Sequence, residues 1–284
     1  MYTKSPLNYI GGKYKMLSKL LPFFPERINI FYDLFAGGCD VCTNVMANTK
    51  FANDINYHVI DVYKELQKHD INSILNMVDK LIEEWNLNKE ESSGFLALRS
   101  YYNSLSPTNR NPIMLFTLVC YSFNYQYRFN SKHEFNGSFG KNRSSFNDTI
   151  RKNLVVFYEK IKDIHFLSKD FQDVNLTGLG INDFLYADPP YTITTGVYND
   201  GKRGFKGWNI DADLHLFSIL DILDKRCVKF ALSNVTEHKG MKNMALIQWM
   251  SKYNVHIIDH NYKNSNYHGK NTDLPTKEVL VTNY

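Results

Sequence analysis

A chain of 284 residues, 43% hydrophobic and 14% aromatic, can bury the core of one large α/β domain or of a domain plus an insertion, which excludes a small scaffold held by disulfides or metal. Its formal net charge of +4 fits a polyanionic partner without demanding one. No run approaches the roughly 20 apolar residues of a membrane span, and the N-terminal MYTKSPLNYIGGK has no apolar signal core, so a soluble, cytoplasmic protein is expected. In chain order, residues 12–21 place Met16, Leu17, Leu20 and Leu21 on one helical face, and Pro22 and Pro25 end that helix. Residues 28–35 form a β-branched and aromatic run that stops at Gly37-Gly38, a buried strand followed by a turn. A helix is expected over 40–47. Cys39 and Cys42 make a C-x-x-C pair at its start, but no second pair or H-x-H cluster completes a metal site, so no metal is expected. Residues 51–55 read as a second strand, and strand–helix–strand with short connections predicts a parallel sheet. From 56 to 127 the pattern is almost wholly helical, with apolar stripes from Leu66, Ile74, Leu75, Val78, Leu81, Ile82 and Trp85, and with the uncharged segment 113–123 at its centre. Residues 128–145 turn polar, basic and Gly/Ser/Asn-rich, as a hairpin or long surface loop. Strands then follow at 164–167, 183–187, 229–232, 255–258 and 279–281, with helices at 211–225 and 240–252. The plan is a doubly wound α/β domain in residues 1–56 and 153–284, with helices on both faces of its sheet, interrupted by a mostly helical insertion over 57–152 that carries a β-hairpin.

Asp188-Pro189-Pro190-Tyr191 follows a predicted central strand and so falls at the carboxyl edge of a parallel sheet, where open α/β folds bind ligands. Two prolines remove two N–H donors and stiffen the tip. What remains, a carboxylate, backbone carbonyls and a ring, suits a planar amine: Asp188 and the Pro189 carbonyl can accept its two N–H groups while Tyr191 stacks on the base. Such an amine is a poor nucleophile, so geometry and proximity must supply much of the rate. Asp33-Leu34-Phe35-Ala36-Gly37-Gly38 lets the chain turn tightly beneath a nucleotide-like ligand, and Asp54, about 20 residues on, can bond ribose hydroxyls. It is not the G-x-G-x-x-G dinucleotide fingerprint. Leu7-Asn8-Tyr9-Ile10-Gly11-Gly12-Lys13 fails as a phosphate loop, since Leu7 and Tyr14 stand where Gly and Ser or Thr are needed. A helix starting at Gly12 could still offer its N-terminus and Lys13 to a carboxylate.

These motifs in this order, N-Y-x-G-G-K, D-L-F-A-G-G, A-N-D-I, D-P-P-Y and L-S-N-V at 232–235, resemble the Dam-type DNA adenine methyltransferases of phages and restriction systems over nearly the whole chain. The resemblance implies a Rossmann-like methyltransferase sheet with an inserted target-recognition region, and S-adenosylmethionine as methyl donor with S-adenosylhomocysteine as product. It implies that Tyr9 and Lys13 border the cofactor, that Phe35 and Gly37 line it with Asp33 and Gly38 in the same loop, and that Asp54 holds its ribose. Asp170-Phe171 would contact its adenine, with Asp173 as the alternative. The acceptor would be N6 of an adenine flipped from double-stranded DNA. Methylation of cytosine N4, a non-catalytic DNA-binding protein of the same fold, and an RNA or protein amine methyltransferase are the rival readings.

Charge supports the DNA assignment on separate grounds. Residues 99–152 hold eight basic and two acidic side chains, so the positive charge gathers in the insertion. Phe123, Tyr125, Tyr127 and Phe129 interleave there with Asn124, Gln126, Arg128 and Asn130. By resemblance, Phe123, Asn124, Tyr125, Gln126, Arg128, Lys141, Asn142 and Arg143 reach DNA, and Arg128 could read a guanine bidentately. Gln126 stands where the family usually has Met and Asn142 near an expected Arg, departures that bear on the usual GATC target. The loop 191–208, Gly-rich and carrying Lys202, Arg203 and Lys206, is expected to order over the extruded adenine. A cognate restriction endonuclease is a further expected partner, and the oligomeric state is read as monomer or weak dimer.

Overall fold

The structure is a computed structural model that describes residues 2–194, 205, 207–258 and 276–284. Its framework is one twisted sheet whose strands run in the order β3-β2-β1-β4-β5-β8-β7. Five of them, β1 (Ile30–Asp33), β2 (Thr49–Asn53), β3 (Ile164–Leu167), β4 (Phe184–Ala187) and β5 (Lys229–His238), pair in parallel. The antiparallel strands β7 (Asn254–Ile258) and β8 (Lys277–Thr282) extend the sheet on the β5 side, and β6 (Met241–Lys242) forms a short hairpin with the end of β5. The order 3-2-1-4-5 reverses between β1 and β4, the point where open α/β sheets bind ligands.

All four residues of β4 are buried, as expected of a central strand covered on both faces. They alternate between two cores, in keeping with the two-residue period of a strand. Phe184 and Tyr186 join Phe31, Ala52 and Phe166 in the core of one face, whereas Leu185 and Ala187 join Tyr32, Phe230 and Leu232 in the core of the other. The second face is covered by α7 (Ile210–Lys225) and α8 (Met244–Met250), through Leu216, Phe217, Leu220, Leu223 and Leu246. The first carries α2 (Tyr57–Lys68), α3 (Ile71–Glu84), α4 (Ser93–Ser104), α5 (Pro112–Tyr121) and α6 (Asp148–Ile161), whose apolar residues share one continuous core with the sheet. Each fully buried Leu or Phe in such a core contributes about 1.5–3 kcal/mol.

Helix starts follow local chemistry. Asp70, Asn111, Asn147 and Asn209 cap α3, α5, α6 and α7 by accepting backbone N–H groups of the first turn. The helix expected over 113–123 ends at Tyr121, where Ser122 adopts an extended backbone and donates its hydroxyl to the Val119 carbonyl. The predicted helix over 12–21 is instead a four-residue α1 (Leu17–Leu20) flanked by 3-10 turns, so no helix begins at Gly12. Residues 40–44 form hydrogen-bonded turns rather than a helix, and 45–47 are irregular. Thr43 and Asn44 donate their side chains to the carbonyls of Cys39, Asp40 and Thr3, in competition with the backbone ladder. The hairpin expected over 128–145 has no regular strands and is a long loop closed by isolated bridges at Ser122–Phe139 and Phe129–Phe135. The helix expected over 240–252 shortens to α8 because β6 takes its first residues.

Candidate active site

The loops after β1 and β4 open side by side at the reversal of strand order, where Asp33 is in register with Tyr186. They form one cavity together with the Tyr9–Lys13 segment, the end of β2, residues 169–171 and Trp208. The expected cofactor residues Tyr9, Lys13, Asp33, Phe35, Gly37, Gly38, Asp54, Asp170 and Phe171 all line it, as do Asp188, Pro189, Pro190 and Tyr191. Among the described lining residues five carboxylates face two lysines, Lys13 and Lys169, so the cavity favours a ligand carrying positive charge.

The chemistry-bearing end is a buried cluster. Lys13 Nζ lies 3.1 Å from Asp188 Oδ1 and 3.0 Å from Glu278 Oε1, and it donates to the Tyr191 hydroxyl at 2.6 Å. That hydroxyl in turn donates to Asp188 at 2.8 Å and lies 3.2 Å from Glu278. Burial pushes the Asp188 carboxyl above its ordinary range, with the Lys13 ammonium opposing the rise. Burial alone would lower the Lys13 pKa, but the charges of Asp188 and Glu278 outweigh it and hold the ammonium protonated. Lys13 therefore does not stand ready for a cofactor carboxylate: its charge is engaged by two carboxylates of the protein, and the helical turn that follows it begins only at Tyr14. Glu278, on β8 and absent from the sequence-based list, betrays itself there only as a lone acid in the apolar run K-E-V-L-V.

The other half of the cavity carries an aromatic wall. Phe35, Phe171 and Trp208 meet with ring centroids 5.1–5.6 Å apart. Asp54 fixes the glycine loop by accepting Gly37 N–H at 2.8 Å and Asn56 N–H at 2.8 Å. Each of its oxygens has a second lone pair beyond these bonds. Asp33 is buried with Oδ1 lacking a partner, and burial together with the nearby Asp188 charge drives its pKa well up, a site that a ligand cation or hydroxyl would satisfy. Asp170 caps the turn Phe171–Asp173; Asp173, the alternative, does not line the cavity.

Three further residues escaped the sequence reading because they act on the scaffold. Asn53 bonds both Leu34 and Lys169, knitting together the loops after β1 and β3. Asp40 accepts the Ser5 and Tyr14 N–H groups, and burial lifts its pKa to about 6. Asp213 is fully buried at the start of α7. It accepts the Trp208 indole N–H at 2.8 Å and the Thr192 hydroxyl, so one carboxylate joins the two ends of the 191–208 loop. The middle of that loop, with Lys202, Arg203 and Lys206, lies outside the described residues.

None of the eight expected DNA-contacting residues lines the cavity; they gather on the surface beside it. The Arg143 guanidinium sits 5.3 Å over the Phe123 ring, and the Tyr125 hydroxyl donates to the Arg143 carbonyl. The Asn124 carbonyl accepts from Asn8, in the segment that leads to Tyr9. Asn124, Arg128, Lys141, Asn142 and Arg143 are exposed, and Gln126 is half-buried. Tyr127 and Phe129, between these residues, turn inward and line the cavity. Three of the eight basic residues of 99–152 do structural work instead: Arg99 and Arg110 donate to backbone carbonyls and Arg151 pairs with Asp79.

Comparison with known proteins agrees with this architecture. The chain is 46% identical over its whole length to the type II methyltransferase M.FokI of Planomicrobium okeanokoites and 45% identical to the modification methylase StsI of Streptococcus sanguinis, covering 43% of each of those longer proteins. The chain thus spans less than half the length of these relatives. It is also 21% identical to the DNA adenine methylase of Escherichia coli K12, over 89% of this chain and 86% of that protein. Residues 9–264 match the family described as D12 class N6 adenine-specific DNA methyltransferase. A reversal of strand order that brings D-P-P-Y against a glycine loop, in a chain matched almost from end to end, leaves one assignment: it belongs to the D12 class N6 adenine-specific DNA methyltransferases.

Proposed function

We propose that the chain transfers the methyl group of S-adenosylmethionine to N6 of an adenine flipped out of double-stranded DNA. The observation that carries this reading is the convergence of Asp188-Pro189-Pro190-Tyr191 and the Asp33–Gly38 loop on one cavity, in a chain of the N6-adenine family. S-adenosylmethionine supplies an electrophilic methyl on a sulfonium, and the excess of carboxylates in the cavity favours that cation. Its adenine lies against the Phe35–Phe171–Trp208 wall, with Asp54 at its ribose and Asp33 at its cationic end. Asp188 and the Pro189 carbonyl accept the two N–H groups of the target amine, which directs the nitrogen lone pair at the methyl, while the Tyr191 ring stacks on the base. Flipping costs a few kcal/mol of unstacking. Residues 57–152 form the target-reading insertion, in which Phe123, Asn124, Tyr125, Gln126, Arg128, Lys141, Asn142 and Arg143 contact DNA. The relatives named as modification methylases support a place beside a cognate restriction endonuclease, acting in the cytoplasm where the DNA lies.

Asp188→Ala tests the reading. Lys13 keeps Glu278 as a partner, so the variant is expected to fold, to bind S-adenosylmethionine in calorimetry, and to incorporate no tritiated methyl into duplex DNA. Full incorporation refutes the assignment of Asp188. Mass spectrometry of the modified base distinguishes N6-methyladenine from N4-methylcytosine.

A further inference from the structure

We propose that Glu278 is a positioning residue for methyl transfer: it is the second acceptor onto which the Lys13 ammonium and the Tyr191 hydroxyl shift when Asp188 takes the substrate amine. The inference rests on the role given to Asp188 above. Two donors converge on Asp188 Oδ1, Lys13 Nζ at 3.1 Å and the Tyr191 hydroxyl at 2.8 Å. With both lone pairs of Oδ1 committed, the amine N–H falls to Oδ2, and the two donors on Oδ1 draw down the charge that makes this carboxylate a strong acceptor. Each of these donors is also within reach of Glu278 Oε1, at 3.0 and 3.2 Å. A shift of both donors toward Glu278 can therefore restore the charge of the Asp188 carboxylate to the amine without leaving a buried ammonium or hydroxyl unpaired. Glu278 is 2% exposed, comes from β8 on the antiparallel side of the sheet, and is not among the residues that line the cavity, so it acts through Lys13 and Tyr191 and not on the substrate.

The electrostatics give this role a signature that a merely structural one lacks. Asp188 faces Lys13 from the segment before the first helical turn, Tyr186 and Tyr191 from β4 and its loop, Asp33 from β1 and Glu278 from β8. Burial raises its pKa, Lys13 opposes the rise and the Glu278 charge adds to it. Transfer needs Asp188 ionised, so the rate is lost as pH falls through the Asp188 pKa. Neutralising Glu278 lowers that pKa and moves the acid limb of the rate to lower pH, even as the plateau rate falls.

The experiment compares Glu278→Gln with Asp188→Asn in single-turnover methyl transfer to duplex DNA, at saturating S-adenosylmethionine, across pH. For Glu278→Gln the plateau rate constant is expected to drop roughly tenfold or more, equivalent to about 1.4 kcal/mol. The KM for S-adenosylmethionine should stay within about twofold, because Glu278 does not line the cavity, and the acid limb should move to lower pH. An unchanged rate, or a slower rate with the acid limb unmoved, overturns the role of Glu278 if Asp188→Asn is inactive. An active Asp188→Asn overturns the assignment of Asp188 itself. Should Glu278→Gln not fold, Glu278→Asp serves: it keeps the charge, withdraws the acceptor by one methylene, and is expected to slow transfer with the acid limb unmoved. An unimpaired rate in that variant overturns the proposal.

Discussion

Gly37 is the position where the smallest change should have the most legible consequence. Its φ of +46° is left-handed, a region that costs an alanine roughly 1–2 kcal/mol. The backbone cannot relax away from it, because Gly37 N–H is held by Asp54 at 2.8 Å and its carbonyl by the Tyr63 hydroxyl at 2.8 Å. A Cβ there would stand 2.8 Å from Tyr9 Cδ1 and 2.9 Å from Tyr9 Cε1, so the ring must swing off its rotamer or into the cavity, at a further cost of about 0.5–1.5 kcal/mol. Gly37→Ala should therefore lose about 2–3 kcal/mol of stability, a urea midpoint shift of roughly 1 M if m is about 2–3 kcal/mol/M. Gly38→Ala is the control. Its φ is not left-handed and its Cβ would meet Tyr9 Cβ at 3.1 Å, so less is lost. Adding Tyr9→Ala to Gly37→Ala should recover the ring's share and leave the backbone's. Calorimetric titration with S-adenosylmethionine should show weakened binding for Gly37→Ala. A Gly37→Ala protein as stable as Gly38→Ala, with unchanged cofactor affinity, refutes the reasoning.

Two contrasts elsewhere separate roles that composition merges. Arg110→Ala should cost about 2–3 kcal/mol in urea unfolding, because its guanidinium serves the carbonyls of Asn103, Leu105 and His133, and the salt dependence of DNA binding should be unchanged. Arg143→Ala should leave stability nearly untouched but lower the slope of log K against log salt by about 1, read by fluorescence anisotropy at several salt concentrations. Asp213→Ala should release both Thr192 and Trp208, lose about 3 kcal/mol of stability and weaken the cofactor complex at least about tenfold. Wild-type affinity in a tryptophan-fluorescence titration of that variant denies Asp213 any hold on the aromatic wall.

Much of the site was legible because its chemistry is carried by contiguous residues at strand ends. Asp33 to Gly38 and Asp188 to Tyr191 each follow an apolar run whose length and composition mark a buried strand. What sequence reading missed acts across long separations or against local propensity. Lys13 and Glu278 meet over 265 residues, and only the antiparallel turn of β8 brings them together. Residues 40–47 have helical periodicity, but Thr43 and Asn44 spend their side chains on nearby carbonyls, a choice that periodicity does not register. The tally of positive charge over 99–152 overstated the free basic surface, since a count does not show that Arg99, Arg110 and Arg151 turn toward protein partners. The segment around Phe123 to Phe129 reads as a uniform polar–aromatic alternation, yet its aromatic residues divide between an exposed ring at Phe123 and cavity-lining rings at Tyr127 and Phe129.

The chain leaves the sheet at Asn53 and re-enters at Ile164, and the two strands it connects are immediate neighbours, with Lys50 in register with Ile164. Everything between is one very long crossover that leaves the carboxyl end of β2 and returns at the opposite end of β3, three residues along the strands and one strand spacing across, about 11 Å. The entropy of closing such a connection rises only with the logarithm of its length, so lengthening or rebuilding its outer part adds little to the cost of closure. The surface proposed to read DNA can thus be replaced or enlarged while the cavity stays in place, because both of its anchor points belong to neighbouring strands of the sheet. Under that proposal, exchange of the surface between relatives becomes a matter of cutting at two seams on neighbouring strands rather than redrawing the sheet.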